Sequence, residues 1–157
     1  MTAATGGKGY TIRLAEPDDE AAVRACAEAA YAPYVPLIGR KPAPMVADFA
    51  ALIAAGRVHV TEAEGRVAGL AVFFPENGGM FLENVAVVPA MAGRGIGRAL
   101  IGHCEARARR LGLASVRLYT NARMAANLSI YPHLGYAETG RRHEDGFDRV
   151  FFEKPLG

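Results

Sequence analysis

The chain has little net charge, few cysteines and no long apolar run, and each shortage narrows what it can do. A formal charge of +2 at pH 7 is too small a basic excess to argue for a nucleic-acid partner. No stretch is long and apolar enough to span a bilayer, and the opening residues lack the apolar core of a signal peptide. No membrane association is therefore expected, and a cytoplasmic location is the default. The two cysteines, Cys26 and Cys104, both fall on apolar helical faces. That pattern points to core packing rather than to a disulfide or a metal site, so no metal is expected. There is no internal repeat, low-complexity segment or linker to divide the chain.

The composition is that of an ordinary globular domain: 157 residues, 51% hydrophobic and 22% charged, long enough to bury a proper core. Residues 1–9 are small, polar and glycine-rich and read as a disordered tail; residues 10–157 read as one domain.

The organising stretch is 81–111. Phe81, Leu82, Val85, Val87 and Val88 make an apolar, β-branched strand, which Pro89 ends because it cannot donate to a ladder. Gly93, Arg94, Gly95, Ile96 and Gly97 form a glycine-punctuated loop. Ile96, Leu100, Cys104 and Leu111 then recur at helical spacing, and Gly112 suits the helix end. A buried strand feeding a glycine loop that opens a helix makes an anion site. The first N–H groups of the helix have no intrahelical partner and lie at its positive pole. Glycines let backbone approach a phosphate with no Cβ in the way. By itself the loop equally fits a plain strand–turn–helix whose glycines only tighten the turn.

Around it, the pattern predicts a strand at 10–14 and a helix from an acidic start at 17–20 to about Pro33, with Val23, Cys26, Ala27, Ala30 and Tyr31 inward. A proline-rich loop follows, then a helix over 45–55 with Val46, Phe49, Leu52 and Ile53 inward. Strands over 57–61 and 67–74 flank a turn at Glu64-Gly65, and Asn77-Gly78 is a hairpin turn into the central strand. After the glycine-loop helix come a strand at 114–119, a short helix at 124–133, and strands at 136–143 and 147–154 around Asp145-Gly146. The order β-α-α-β-β-β-α-β-α-β-β defines an α/β (α+β) fold: a mixed, mostly antiparallel sheet with helices on both faces.

Three phosphate-binding patterns compete for the loop. A P-loop needs Gly-Lys-Ser/Thr, which is absent. A dinucleotide fingerprint wants an acid about 20 residues on, and the strand at 114–119 ends without one. The third resembles motif A of the GNAT N-acetyltransferases, Gln/Arg-x-x-Gly-x-Gly/Ala, aligned on Ala92-Gly93-Arg94-Gly95-Ile96-Gly97; the leading position departs from the pattern as Ala92. Farther on, Asn127-Leu128-Ser129-Ile130-Tyr131 with Leu134-Gly135-Tyr136 is similar to motif B of the same family. Two motifs in order, separated by a strand, are far more specific than either alone, and the resemblance covers essentially the whole chain after Tyr10.

The resemblance implies the GNAT fold, in which the strands before and after the glycine-loop helix splay apart around coenzyme A. It also implies acetyl transfer from acetyl-CoA, the cosubstrate, to the primary amine of a small molecule or peptide. Arg94, Gly95, Ile96, Gly97 and Arg98 would hold the pyrophosphate. The backbone of Val85, Ala86 and Val87 would pair with the pantetheine arm, with an N–H at or beside Val85 for the oxyanion. Glu83 is the best-placed base, Tyr131 matches the general-acid tyrosine and Asn127 the coenzyme-binding asparagine. Tyr31, Tyr34, Asn84 and His143 are candidates for the acceptor pocket. Arg141, Arg142 and Arg149 read as a solvated face which, if it bordered the pocket, would favour a carboxylate or phosphate on the acceptor. A non-catalytic acyl-CoA-binding regulatory domain and an NAD- or nucleotide-binding enzyme are the alternatives. The acceptor and the oligomeric state, a homodimer included, are left open.

Overall fold

Antiparallel hairpins lay out most of the sheet, and each turns on two residues with positive φ: Glu64-Gly65, Asn77-Gly78 and Asp145-Gly146. That geometry carries the twist a tight hairpin needs. The computed structural model describes residues 4–5 and 9–157. In chain order the strands are β1 (Ala4–Thr5), β2 (Tyr10–Leu14), β3 (Val58–Ala63), β4 (Arg66–Glu76), β5 (Gly79–Val87), β6 (Ser115–Asn121), β7 (Ala137–Glu144) and β8 (Phe147–Pro155). The helices are α1 (Glu20–Tyr31), α2 (Val35–Ile38), α3 (Phe49–Ala54), α4 (Ile96–Arg110) and α5 (Ala125–His133). The eight strands form one sheet in the order β1-β2-β3-β4-β5-β6-β8-β7. Every neighbouring pair is antiparallel except β5 with β6.

The expected mixed α/β sheet with helices on both faces is what the chain forms, with three local differences. Ala4–Thr5, inside the expected tail, pair with Ile12 and Thr11 as an edge strand; the rest of that expectation lies outside the described residues. The proline-rich segment contains one α-helical turn, α2, between short 3-10 turns at Ala32–Tyr34 and Ala43–Met45. The helix expected over 45–55 starts only at Phe49, because the Asp48 carboxylate accepts from the Ala51 N–H at 3.1 Å and caps it there. Val46 therefore precedes the helix and is exposed rather than inward.

Each face has its own core. Ile96, Leu100, Cys104 and Ala108 of α4, each four residues after the last, pack with Tyr131 and Tyr136 on one side. Val23, Cys26, Ala27, Phe49 and Ile53 of α1 and α3 fill the other. The two cysteines are thus buried free thiols on opposite faces. Gly69 on β4 admits the start of α4. A Cβ there would lie 3.0 Å from the Ala86 carbonyl oxygen and 3.1 Å from Ile96 Cγ2. Across the molecule, Glu105 of α4 accepts from Tyr136 Oη at 2.8 Å and from Lys154 Nζ at 3.0 Å. These bonds tie α4 to the residue before β7 and to β8. Among the described residues no helix is long and apolar enough to cross a membrane.

Two irregularities in β5 open the sheet. β5 pairs with β6 only from Met80 to Leu82, against Val116 to Leu118. On its other side the register against β4 shifts between Asn84↔Val72 and Leu82↔Phe73. That shift leaves Glu83 as the extra residue of a β-bulge, which bends a strand and ends pairing. Beyond Leu82, β5 and β6 share no further pairs.

Candidate active site

One edge of the lower half of β5 has no strand beside it. The Val88 N–H donates to the Ala68 carbonyl at 2.8 Å. Antiparallel pairing alternates, so the backbone groups of Asn84, Ala86 and Val88 serve β4 while those of Val85 and Val87 point into the gap. Ala86, expected among the residues pairing with a ligand, is buried with its backbone turned to β4; it braces the edge rather than forming it. The alternation follows from strand geometry, and the bulge at Glu83 decides which residues it favours.

The glycine loop stands at one end of this edge. Gly93 and Gly95 have φ of 82° and 80°, and Gly95 is the N-cap of α4 with no side-chain cap. The first turn of α4 carries no acid, so its N–H groups and dipole are unopposed. Gly97 would place a Cβ 3.6 Å from Val87 Cγ2, so the turn sits against the end of β5. Arg94 and Arg98 are exposed at the loop. Arg94 is 3.9 Å from Glu64, a loose surface pair that leaves its guanidinium available.

At the other end is a crevice, open to solvent, lined by Tyr31, Glu83, Asn84, Val85, Asn127 and Tyr131 among others. Five expected residues from three elements, α1, β5 and α5, thus meet beside Val85 in one place. Tyr131 is buried, its ring edge-on to Tyr136 at 5.6 Å and tilted against Phe152 at 5.7 Å. Burial, with the Cys104 thiol nearby, pushes its phenol up to about 12, so it keeps its proton at neutral pH. Its hydroxyl makes no hydrogen bond among the described residues. The Glu83 carboxylate also has no hydrogen bond or ion pair among them. Burial raises its pKa, Arg57 opposes the rise and Glu76 adds to it. Asn127 donates from Nδ2 to Thr120 Oγ1 at 3.0 Å, which leaves its carbonyl oxygen unengaged.

The acceptor-side candidates divide. Tyr31 donates to Asn84 Oδ1 at 2.6 Å, with the Val85 carbonyl 3.1 Å from the same hydroxyl. Asn84 Nδ2 donates to the Pro44 carbonyl at 3.3 Å. Both residues line the crevice, but their polar atoms are committed to clasping α1 and the proline-rich segment onto β5. Tyr34 is half-buried against the α1 core and does not line the crevice. His143 lies on the outer hairpin, exposed and 2.7 Å from Asp148. It is not brought to the site, because β7 is the sheet edge farthest from β5 on that side.

Arg149 is the main correction. Expected on a solvated face, its side chain is only 8% exposed, and it lines the crevice. Tyr119 and Phe147 line it too. The signal was in the register: Arg149 pairs with Asn121, directly across from the end of β6. Among the described residues no cluster of three or more His, Cys, Asp or Glu is placed to hold a metal.

A sequence model of the acetyltransferase (GNAT) family matches residues 21–136. The chain belongs to this family, and it is an acetyl-CoA-dependent acyltransferase. Among solved structures it is similar to the ribosomal-protein-S18-alanine N-acetyltransferase of Escherichia coli, with 25% identity, 94% of each chain covered and a TM-score of 0.76. It is also similar to yncA, a putative acetyltransferase from Salmonella typhimurium solved with its cofactor acetyl-CoA, with 26% identity, 94% of each chain covered and a TM-score of 0.72. The paia N-acetyltransferase of Thermoplasma acidophilum, in complex with coenzyme A, shares the fold at 16% identity, covering 94% of this chain and 99% of that one with a TM-score of 0.78. No curated protein matches the chain.

Proposed function

We propose that the chain transfers the acetyl group of acetyl-CoA to the primary amine of a small molecule or peptide by direct attack. The observation that carries this reading is the open edge of β5. Val85 and Val87 present backbone groups to a gap that runs from the uncapped start of α4 to Glu83 and Tyr131. The pyrophosphate rests on the amides of residues 94–98, with Arg94 and Arg98 for its charge. The amide-rich pantetheine arm adds to β5 as a strand would, pairing with Val85 and Val87, and Asn127 Oδ1 accepts one of its N–H groups.

The chemistry then needs three things. The amine nitrogen attacks the thioester carbonyl carbon, and the Val85 N–H donates to the oxygen as it becomes anionic. A lysine-like amine has a pKa of about 10.4, so it must first lose a proton, which Glu83 takes directly or through a water. As the new C–N bond forms, the C–S bond breaks. The sulfur, a thiol of pKa about 8.5, leaves best when Tyr131 Oη donates to it. The products are an N-acetylated amine and the free thiol of coenzyme A.

The test is thiol release from acetyl-CoA across a panel of amines, beside binding titrations of acetyl-CoA, NAD and ATP. The expected result is acetyl-CoA binding and amine-dependent release. Acetyl-CoA binding without release for any amine would favour the regulatory-domain reading. Preferential NAD or ATP binding would overturn the coenzyme assignment.

A further inference from the structure

The acceptor end of the crevice contains a cation with unspent donors. Arg149 uses one nitrogen, Nη1, for both of its ion pairs, 3.0 Å to Glu144 and 3.2 Å to Asp145. Its guanidinium carbon lies 4.3 Å above the centre of the Tyr119 ring and 5.4 Å from that of Phe147. The two acids hold the group from one side and the rings fix its plane. Nε and Nη2 make no hydrogen bond among the described residues, yet the side chain is more than nine-tenths buried and lines the crevice. Nε–H and Nη2–H are parallel donors on one side of the guanidinium, a fork that matches the two oxygens of a carboxylate.

The opposite wall is Glu83. It follows Leu82, whose neighbour on β6 is Leu118, so Tyr119 stands between Glu83 and Arg149. Glu144 and Asp145 do not line the crevice, so the charges that do are a carboxylate where an amine would be deprotonated and a guanidinium beyond Tyr119. From these positions we infer that the acceptor carries a carboxylate, seated on Nε and Nη2 of Arg149, at the end of the molecule away from the amine that reacts. Glu83 and Arg149 lie on strands two apart, which would be about 10 Å were all the strands paired, and β5 and β6 have parted beyond Leu82, so the span is longer. The carboxylate is therefore separated from the amine by several bonds, as in an ω-amino acid or a side-chain amine of an amino acid, rather than sharing its carbon.

This inference rests on the acetyl-transfer reading above, and its test separates the two. Thiol release from acetyl-CoA is measured for β-alanine, γ-aminobutyrate and δ-aminovalerate, each beside its carboxamide. A distant carboxylate changes the amine little, so each pair isolates the anionic group. The expected result is a kcat/KM about tenfold or more higher for the acid, carried in KM and largest for the longer chains. In Arg149→Gln the ratio of acid to carboxamide kcat/KM falls to about one. Arg149→Lys, which keeps the charge without the fork, retains only part of the preference. The wild-type comparison needs no variant, so it decides the matter even if both substitutions fail to fold. Equal or faster turnover of the carboxamides by the wild-type enzyme, or an unchanged preference in folded Arg149→Gln, overturns the inference and leaves acetyl transfer standing. Binding of acetyl-CoA with no turnover of any amine overturns both.

Discussion

The hydroxyl of Tyr31 lies 2.6 Å from Asn84 Oδ1, so the last residue of α1 is pinned to the strand residue just past the β-bulge. The Asn84 amide then holds the proline-rich segment through the Pro44 carbonyl. One buried asparagine thereby joins three pieces of chain that form a wall of the crevice. Tyr31→Phe removes the donor and leaves Asn84 Oδ1 buried without it. The expected loss is about 1–3 kcal/mol of folding stability, read by chemical denaturation, with KM for the acceptor rising more than KM for acetyl-CoA.

Tyr131→Phe removes only a hydroxyl that has no partner among the described residues, so stability is expected to hold within about 1 kcal/mol. Turnover is expected to fall by about 100-fold or more, the scale of a lost proton donor. The dissociation constant for acetyl-CoA should stay nearly unchanged by calorimetry. Because burial pushes the phenol up to about 12, it remains protonated through the working range. Loss of activity below pH 9 therefore does not arise from its ionisation. An unchanged kcat in the variant would remove the proposed role.

Glu83→Gln tests the base. Burial raises the pKa of this carboxyl in the folded protein, so the native state holds its proton more tightly than the unfolded chain. Such a group costs stability as pH rises through its unfolded pKa and beyond. The glutamine variant is thus expected to be as stable as wild type at low pH and more stable at pH 7. Meanwhile kcat/KM drops, and the acidic limb of its pH profile, set by the raised Glu83 pKa, disappears. A profile that keeps the same acidic limb would assign it to another group.

The pair His59 and His103 should govern acid stability. Their nitrogens are 3.2 Å apart, and His59 stacks on Phe73 at 4.3 Å. Burial, His103 and Arg107 lower His59 from 6.5 to about 4, and burial, Arg107 and Arg110 lower His103. The unfolded chain therefore binds protons that the native state refuses, and stability falls as pH drops from about 6.5 toward 4. Replacing His59 with glutamine, which has no titrating ring, should flatten that fall in denaturation curves taken between pH 7 and pH 4, while lowering stability at pH 7 through lost packing.

Contiguous chemistry was legible without coordinates. The strand over 81–88, the glycine loop, the helix it opens and the three hairpin turns each depend on residues a few positions apart, because helical period, strand alternation and turn conformations are local properties. The meeting of Glu83, Asn127 and Tyr131 in one crevice followed from recognising two motifs in order. Arg149 and His143 were less legible, since both sit in a polar hairpin with similar flanking residues. Only the register of β8 against β6 sends Arg149 to Asn121 and the crevice, while His143 faces Asp148 at the outer edge.

The amino-acid order alone set the succession of strands and helices and the anion-binding start of α4, for those need only neighbours in the chain. Tertiary structure alone decided that Val85 and Val87, and not Ala86, offer their backbone to the gap, and that Arg149 is buried beside it. Strand direction alternates every residue, so a single inserted residue reverses every choice that follows it. That residue is Glu83, and its place as the bulge exists only once β4 and β5 have paired.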